Sequence, residues 1–324
     1  MKAAIVKGPK TNPVYGDFDD PVAKSGETIV TVAASALSNL TKARASGAHY
    51  SSAGSYPAIP GVDGVGRTSD GERVYFALPA PPFGALAEKC PVKREYCVPV
   101  PEALDDITAA AIANPGMSAW GALVERAQLK RGETVLVNGG TGTAGPLAVQ
   151  LAKYLGAAKI IAAGRNKAEL EKVEGLGADV TIPFDLGSGD ASAGKKYEQA
   201  LIGEFAKGID VVVDYLWGES ARIVIAAIAK GVEDGTPVRF VHVGAASGQE
   251  SIDLPGAALR SSAIMLMGSG LKSIRSSVLL AGIKHVFDAT IPGKFQIETK
   301  NVPLSQVERH WTAPGSPRLV FTVG

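Results

Sequence analysis

The chain has 324 residues, 46% of them hydrophobic, with 33 Lys and Arg against 32 Asp and Glu and a formal net charge of +1. That length has room for two domains with sizeable buried cores, and the near-neutral balance gives no ground for a nucleic-acid or anionic-membrane partner. No apolar stretch reaches the roughly 18–20 residues of a bilayer span, and the opening MKAAIVKGPKTNP is too short in apolar residues for a secretory signal, so a cytoplasmic location is expected.

Residues 2–110 read as short β-type runs between Gly, Pro and Ser, namely Ala3–Lys7, Glu27–Ala33, Arg73–Phe76 and Glu95–Pro99. Such runs predict a compact, mainly β domain. From Asp106 the pattern changes to helix, with Asp105 or Asp106 as cap. Beyond Glu133, strands are expected near 134–138, 159–163, 180–182, 210–214, 238–243 and 263–267, with helices between them. That alternation predicts a parallel sheet covered on both faces. The SGDASAG patch at 188–194 reads as an exposed loop. A further helix follows Gly270, and a β-type tail at Gln296–Pro303 and Arg318–Val323 is expected to return to the first domain.

The most informative stretch is ETVLVNGGTGTAGPLAVQLAKYLGAAKIIAAGRN, from Glu133 to Asn166. An apolar run, Val135–Val137, enters a turn in which Gly139, Gly142 and Gly145 stand three apart, and a helix is expected to open near Pro146. The glycines let the main chain lie close to a ligand, and the helix aims free amides and its positive dipole end at the same spot. A dinucleotide pyrophosphate is the expected guest. After the second strand the sequence reads Ala163-Gly164-Arg165-Asn166-Lys167, with no carboxylate before Glu169. An acid here would bind a ribose 2′-hydroxyl, whereas a guanidinium grips a 2′-phosphate. The segment therefore points to NADPH rather than NADH, the other reading being a solvated basic turn.

Several blocks in order carry a family resemblance: MKAAIVKGP, YPAIPGVDGVG (56–66), GERVY (71–75), AAAIANPGMSAWGAL (109–123), the glycine turn, GIDVVVDYLWG (208–218), VRFVHVGAASG (238–248) and PRLVFTVG at the end. Over essentially its whole length the chain resembles a zinc-independent member of the medium-chain dehydrogenase/reductase superfamily, near its quinone oxidoreductase branch. The resemblance implies a Rossmann-type doubly wound α/β sheet inserted into a GroES-like, mainly β domain. The expected boundaries are 1–117 plus 271–324 for the catalytic domain and 118–270 for the dinucleotide domain. It also implies an active site in the cleft between the two and a homodimer or homotetramer.

Zinc-containing relatives carry Gly-His-Glu where this chain has Gly61-Val62-Asp63, and their first cysteine ligand falls here in Ser38-Asn39. The structural zinc lobe is absent, and Cys90 and Cys97, with six residues between them, fall short of four ligands. No metal is expected. Asp63 either binds something or is an inward-facing structural carboxylate.

The resemblance also assigns residues. Asn39 stands where the branch keeps an asparagine able to hold the nicotinamide ribose or the acceptor oxygen; alternatively it only forms a turn. Tyr50 lies in the loop that relatives use to line the substrate cleft and either donates to an enolate or quinone oxygen or packs as an aromatic against the cleft. Neighbouring His49, or water, are the other proton sources. Lys42 replaces an aspartate common in relatives. Thr141, Gly142, Thr143 and Ala144 match the phosphate turn, with Gly164, Arg165, Asn166 and Lys167 on the adenosine side. Phe184 replaces a tyrosine that relatives point at the 2′-phosphate. Ser118 matches a hydroxyl residue beside the nicotinamide ribose, or packs a helix. Val243-Gly244-Ala245 and Gly268-Ser269-Gly270 match strand ends that hold the carboxamide. Phe76, Ala77, Leu78 and Phe83 either give the lower rim an apolar character suited to small or flat hydrophobic acceptors or pack as ordinary core.

Without a Lewis acid, the chemistry that fits is hydride transfer from NADPH to a quinone or an α,β-unsaturated carbonyl, whose developing charge needs hydrogen-bond donors and a proton. The second reading is an NADPH-binding protein without turnover, acting as a redox sensor or binding partner.

Overall fold

The computed structural model describes residues 1–324 except 49–51, 53 and 188. The candidates His49 and Tyr50 therefore lie outside the described residues. The chain divides into two compact units, one of Met1–Asn114 with Ile283–Pro292 and Ile297–Gly324, the other of Pro115–Gly282 with Gly293–Gln296.

The first unit opens with β1 (Lys2–Ile5) paired antiparallel to β2 (Val14–Asp17). β3 (Glu27–Ala36) is followed by α1 (Asn39–Ala45), β4 (Asp63–Thr68), β5 (Arg73–Ala77), β6 (Lys89–Lys93), β7 (Cys97–Pro99) and α2 (Asp106–Trp120). β3 buries Thr28, Val30, Val32, Ala34 and Ala36, the period of two expected of a half-covered strand. The expected strand from Glu95 starts later, because Arg94–Tyr96 form a 3-10 turn and pairing begins at Cys97.

The second unit contains β8 (Thr134–Asn138), α3 (Ala144–Leu155), β9 (Lys159–Gly164), α4 (Lys167–Leu176), β10 (Val180–Pro183), α5 (Ala193–Phe205), β11 (Val211–Asp214), α6 (Gly218–Gly231), β12 (Pro237–His242), α7 (Gly256–Arg260) and β13 (Ala263–Gly268). α8 (Ser276–Thr290) then leads to β14 (Thr299–Pro303), α9 (Val307–His310) and β15 (Arg318–Thr322). The tail does rejoin the first unit: β15 pairs antiparallel with β3 and parallel with β14 in a seven-stranded sheet ordered β14-β15-β3-β4-β5-β7, with β6 also on β3.

The six strands β8 to β13 form one parallel sheet ordered β10-β9-β8-β11-β12-β13. The order reverses between β8 and β11, and in such sheets a ligand sits at the carboxyl ends of the strands flanking that reversal. The β8 and β11 interiors, Val135–Val137 and Val211–Val213, are fully buried, as expected of strands covered on both faces. One core packs Leu136, Val212 and Phe240 against Tyr197, Leu201 and Phe205 of α5 and Val224 and Ile228 of α6. Among the described residues no helix is long and apolar enough to cross a membrane.

Candidate active site

β8 ends at Asn138, and the chain turns through Gly139–Thr143 into α3. The amides of Gly139 and Gly140 both donate to the Ala163 carbonyl, at 3.0 and 2.8 Å, which ties the turn to the end of β9. A Cβ at position 145 would lie 2.3 Å from the Gly139 carbonyl oxygen and 2.6 Å from Gly140 Cα, so only glycine lets the helix start close on the turn. The helix begins at Ala144, two residues earlier than expected, because a proline within the first turn forfeits no intrahelical bond. Thr143 gives no side-chain cap and the first turn carries no acid. The leading amides of α3 are therefore left for an anion, and the turn fits a pyrophosphate.

The segment after β9 touches this turn. A Cβ on Gly164 would lie 2.6 Å from Thr141 Cγ2 and 2.8 Å from its Oγ1. Arg165, Asn166 and Lys167 are exposed. Asn166 is the cap of α4, its side chain accepting the Glu169 amide at 3.3 Å. The side chains of Arg165 and Lys167 make no hydrogen bond or ion pair with a described residue. Phe184 is near through its main chain only: its amide donates to the Gly164 carbonyl at 3.0 Å, while its ring is buried and stacked on Tyr197 at 4.3 Å.

Along the sheet, the amides of Val243 and Gly244 donate to the Asp214 carbonyl at 2.8 and 3.3 Å, and the Ser269 amide to the His242 carbonyl at 2.8 Å. Ala245, Gly268 and Gly270 are exposed. Ser118 is half-buried on α2 beside the Tyr215 phenol, whose pKa is raised by burial, with the Ser118 interaction opposing that shift.

Beneath these strand ends lies a polar network that the residue-by-residue reading missed. Asp214, fully buried, accepts Asn138 Nδ2 at 2.8 Å and the Leu216 amide at 3.2 Å on Oδ1, and the Trp217 amide at 3.1 Å on Oδ2. His242 Nδ1 stands 3.3 Å from Oδ2, with its ring 4.3 Å from that of Trp217. Tyr197 donates to Asn138 Oδ1 at 3.0 Å. Burial, then the Asp214 charge, raises the Tyr197 pKa well above its ordinary value. The signal was a polar residue closing each apolar strand: TVLVN, VVVD and PVRFVH. The network pins the ends of β8, β11 and β12 and sets the loops that leave them.

In the first unit, Asn39 is exposed as the first residue of α1, behind the cap Ser38, whose Oγ accepts the Thr41 amide at 2.9 Å. Asp63 is a buried structural carboxylate. It accepts the Tyr75 hydroxyl at 2.8 Å on Oδ2, while Oδ1 has no hydrogen-bond partner among the described residues. Burial raises its pKa to about 6, against the opposing effects of Arg318, Tyr75 and Asn114. A cavity of about 550 Å³, part of it open to solvent, is lined by Thr41, Arg44, Tyr56, Val62 and Phe83 among others. Among the described residues no group of three or more His, Cys, Asp and Glu is placed to hold a metal ion. Both cysteines are free thiols, and burial pushes Cys97 up to about 11.

Comparison with known proteins accords with this geometry. Residues 144–288 match the family described as zinc-binding dehydrogenase. The chain is 30% identical over 263 residues to the probable NADPH-dependent quinone reductase of Emericella nidulans, covering 72% of each. The chain belongs to the medium-chain dehydrogenase/reductase superfamily, in its quinone oxidoreductase branch. It is also 31% identical over 180 residues to the chloroplastic NADPH-dependent alkenal/one oxidoreductase of Arabidopsis thaliana, a match spanning 51% of this chain and 46% of that protein. The quinone oxidoreductase of Thermus thermophilus, solved also in complex with NADPH, superposes with a TM-score of 0.80 at 25% identity over 99% of this chain and 100% of its own.

Proposed function

We propose that the chain is an NADPH-dependent oxidoreductase that passes a hydride to a quinone or an α,β-unsaturated carbonyl without a metal. The observation that carries this reading is the glycine-closed turn ahead of α3, with uncapped helix amides and Thr141 packed on the segment that presents Arg165. The amides of Thr141–Ala144 would hold the pyrophosphate and Arg165, with Lys167, the 2′-phosphate. Ser118 and the strand ends at Val243–Ala245 and Gly268–Gly270 would hold the nicotinamide half. NADPH, when bound, supplies the hydride. Asn39 and Tyr50 are the candidates for orienting the acceptor oxygen. The named activities of the Emericella and Arabidopsis relatives support a quinone or enone as acceptor.

We also propose self-association as a homodimer or homotetramer through β13. That strand closes one edge of the parallel sheet and leaves Met265 and Leu266 exposed at 43% and 39%.

The test of the redox reading is NADPH oxidation, followed by the absorbance of the reduced nicotinamide, against a panel of quinones and enones. Turnover on at least one acceptor class is expected. Tight NADPH binding with no oxidation on any acceptor would instead identify a non-catalytic NADPH-binding protein.

A further inference from the structure

The cavity of the first unit has a charge pattern that the proposed function leaves unused. Its lining combines apolar side chains, including Pro60, Val62 and Phe83, with polar ones such as Thr41 and Tyr56, and among the described residues Arg44 is the one that carries a charge. Two of its hydroxyls are already engaged: Thr41 Oγ1 with Ser38 Oγ at 2.9 Å, and the Tyr56 hydroxyl donating to the Ala45 carbonyl at 2.9 Å. Of the two cations near the end of α1, Lys42 donates to the Ala313 carbonyl at 2.8 Å. The guanidinium of half-buried Arg44 makes no hydrogen bond or ion pair with any described residue. Burial lowers its pKa, a sign that the site holds the charge at a cost. Arginine does not shed its proton, and its planar fork matches a carboxylate. A bound carboxylate would remove that cost while its apolar body covers the proline and phenylalanine walls.

We propose that this cavity binds an apolar molecule bearing one carboxylate, with the carboxylate on Arg44.

The experiment uses a matched pair, 4-(3-oxobut-1-enyl)benzoate and the corresponding neutral benzamide. Calorimetry on the NADPH-free protein should show the carboxylate binding at least about tenfold more tightly, the range of a charge-assisted hydrogen bond. Arg44→Gln should abolish that preference while leaving the benzamide affinity unchanged, and Arg44→Lys should keep part of it. Equal affinities in the unaltered protein, or a preference that survives in Arg44→Gln, would overturn the proposal.

Discussion

Arg165 is exposed and engages no described residue, so removing it should disturb no fold contact. Arg165→Ala is expected to weaken NADPH by about tenfold or more, the size of a lost charge-assisted bond, and to leave NADH nearly unchanged. Equal losses for both cofactors, measured by fluorescence titration, would remove Arg165 from the 2′-phosphate. The turn, the helix start and the exposed basic pair were legible as local structure because they lie in consecutive sequence. The Asn138–Asp214–His242 network was not, because its members come from three strands that only the sheet brings side by side. Phe184 shows the same limit, since a sequence position cannot say whether a ring faces a ligand or, as here, stacks on Tyr197. Asp63 carries a prediction of its own. Its pKa of about 6 lies above the ~4 of an unfolded aspartate, so between those values the folded state keeps a proton that the unfolded state releases. The stability contributed by this group is therefore full below pH ~4 and is lost as pH rises through about 6. Asp63→Asn abolishes that titration, and its unfolding free energy should gain on the unaltered protein by about 3 kcal/mol between pH ~4 and ~7. Parallel pH curves in urea titrations would contradict it.

At the scale of elements, the turn into α3 separates packing from binding. Gly145→Ala drives a Cβ to 2.3 Å from the Gly139 carbonyl oxygen, so the turn must open. The expected result is a loss of both thermal stability and NADPH affinity, the latter by at least about tenfold, since the amides no longer converge. Gly142→Ala meets nothing nearer than 3.9 Å, and should lower NADPH affinity alone by placing a methyl group over the exposed turn. If both variants bind NADPH normally, the turn is not the phosphate site. The same contrast explains which elements could be read beforehand. The six parallel strands were legible within a residue or two because each is a dense apolar run bounded by turns. β4, DGVGRT, was not, because its two glycines break the alternation, and the proline in β6, KCPVK, argued against a strand. Both are held by pairing with β3, a long-range contact that leaves no local trace.

At the scale of the whole molecule, β13 raises the question of assembly. It pairs with β12 on one side and closes the sheet on the other, and an edge strand offers unpaired main-chain groups to another chain. Natural edges are guarded by charge or proline, yet AIMLMG carries neither, and Met265 and Leu266 are exposed, as is Leu259 of α7. Two such edges meeting about a two-fold axis would extend the sheet and cover these side chains, an arrangement that closes on itself. Met265→Lys with Leu266→Glu should therefore shift the chain toward monomer in analytical ultracentrifugation, because charge on the edge opposes strand pairing. The turn before α3 lies away from the altered strand, so NADPH affinity should hold. A double variant that sediments like the unaltered chain would show that β13 is not the contact, and a monomeric unaltered chain would show that there is none to disrupt.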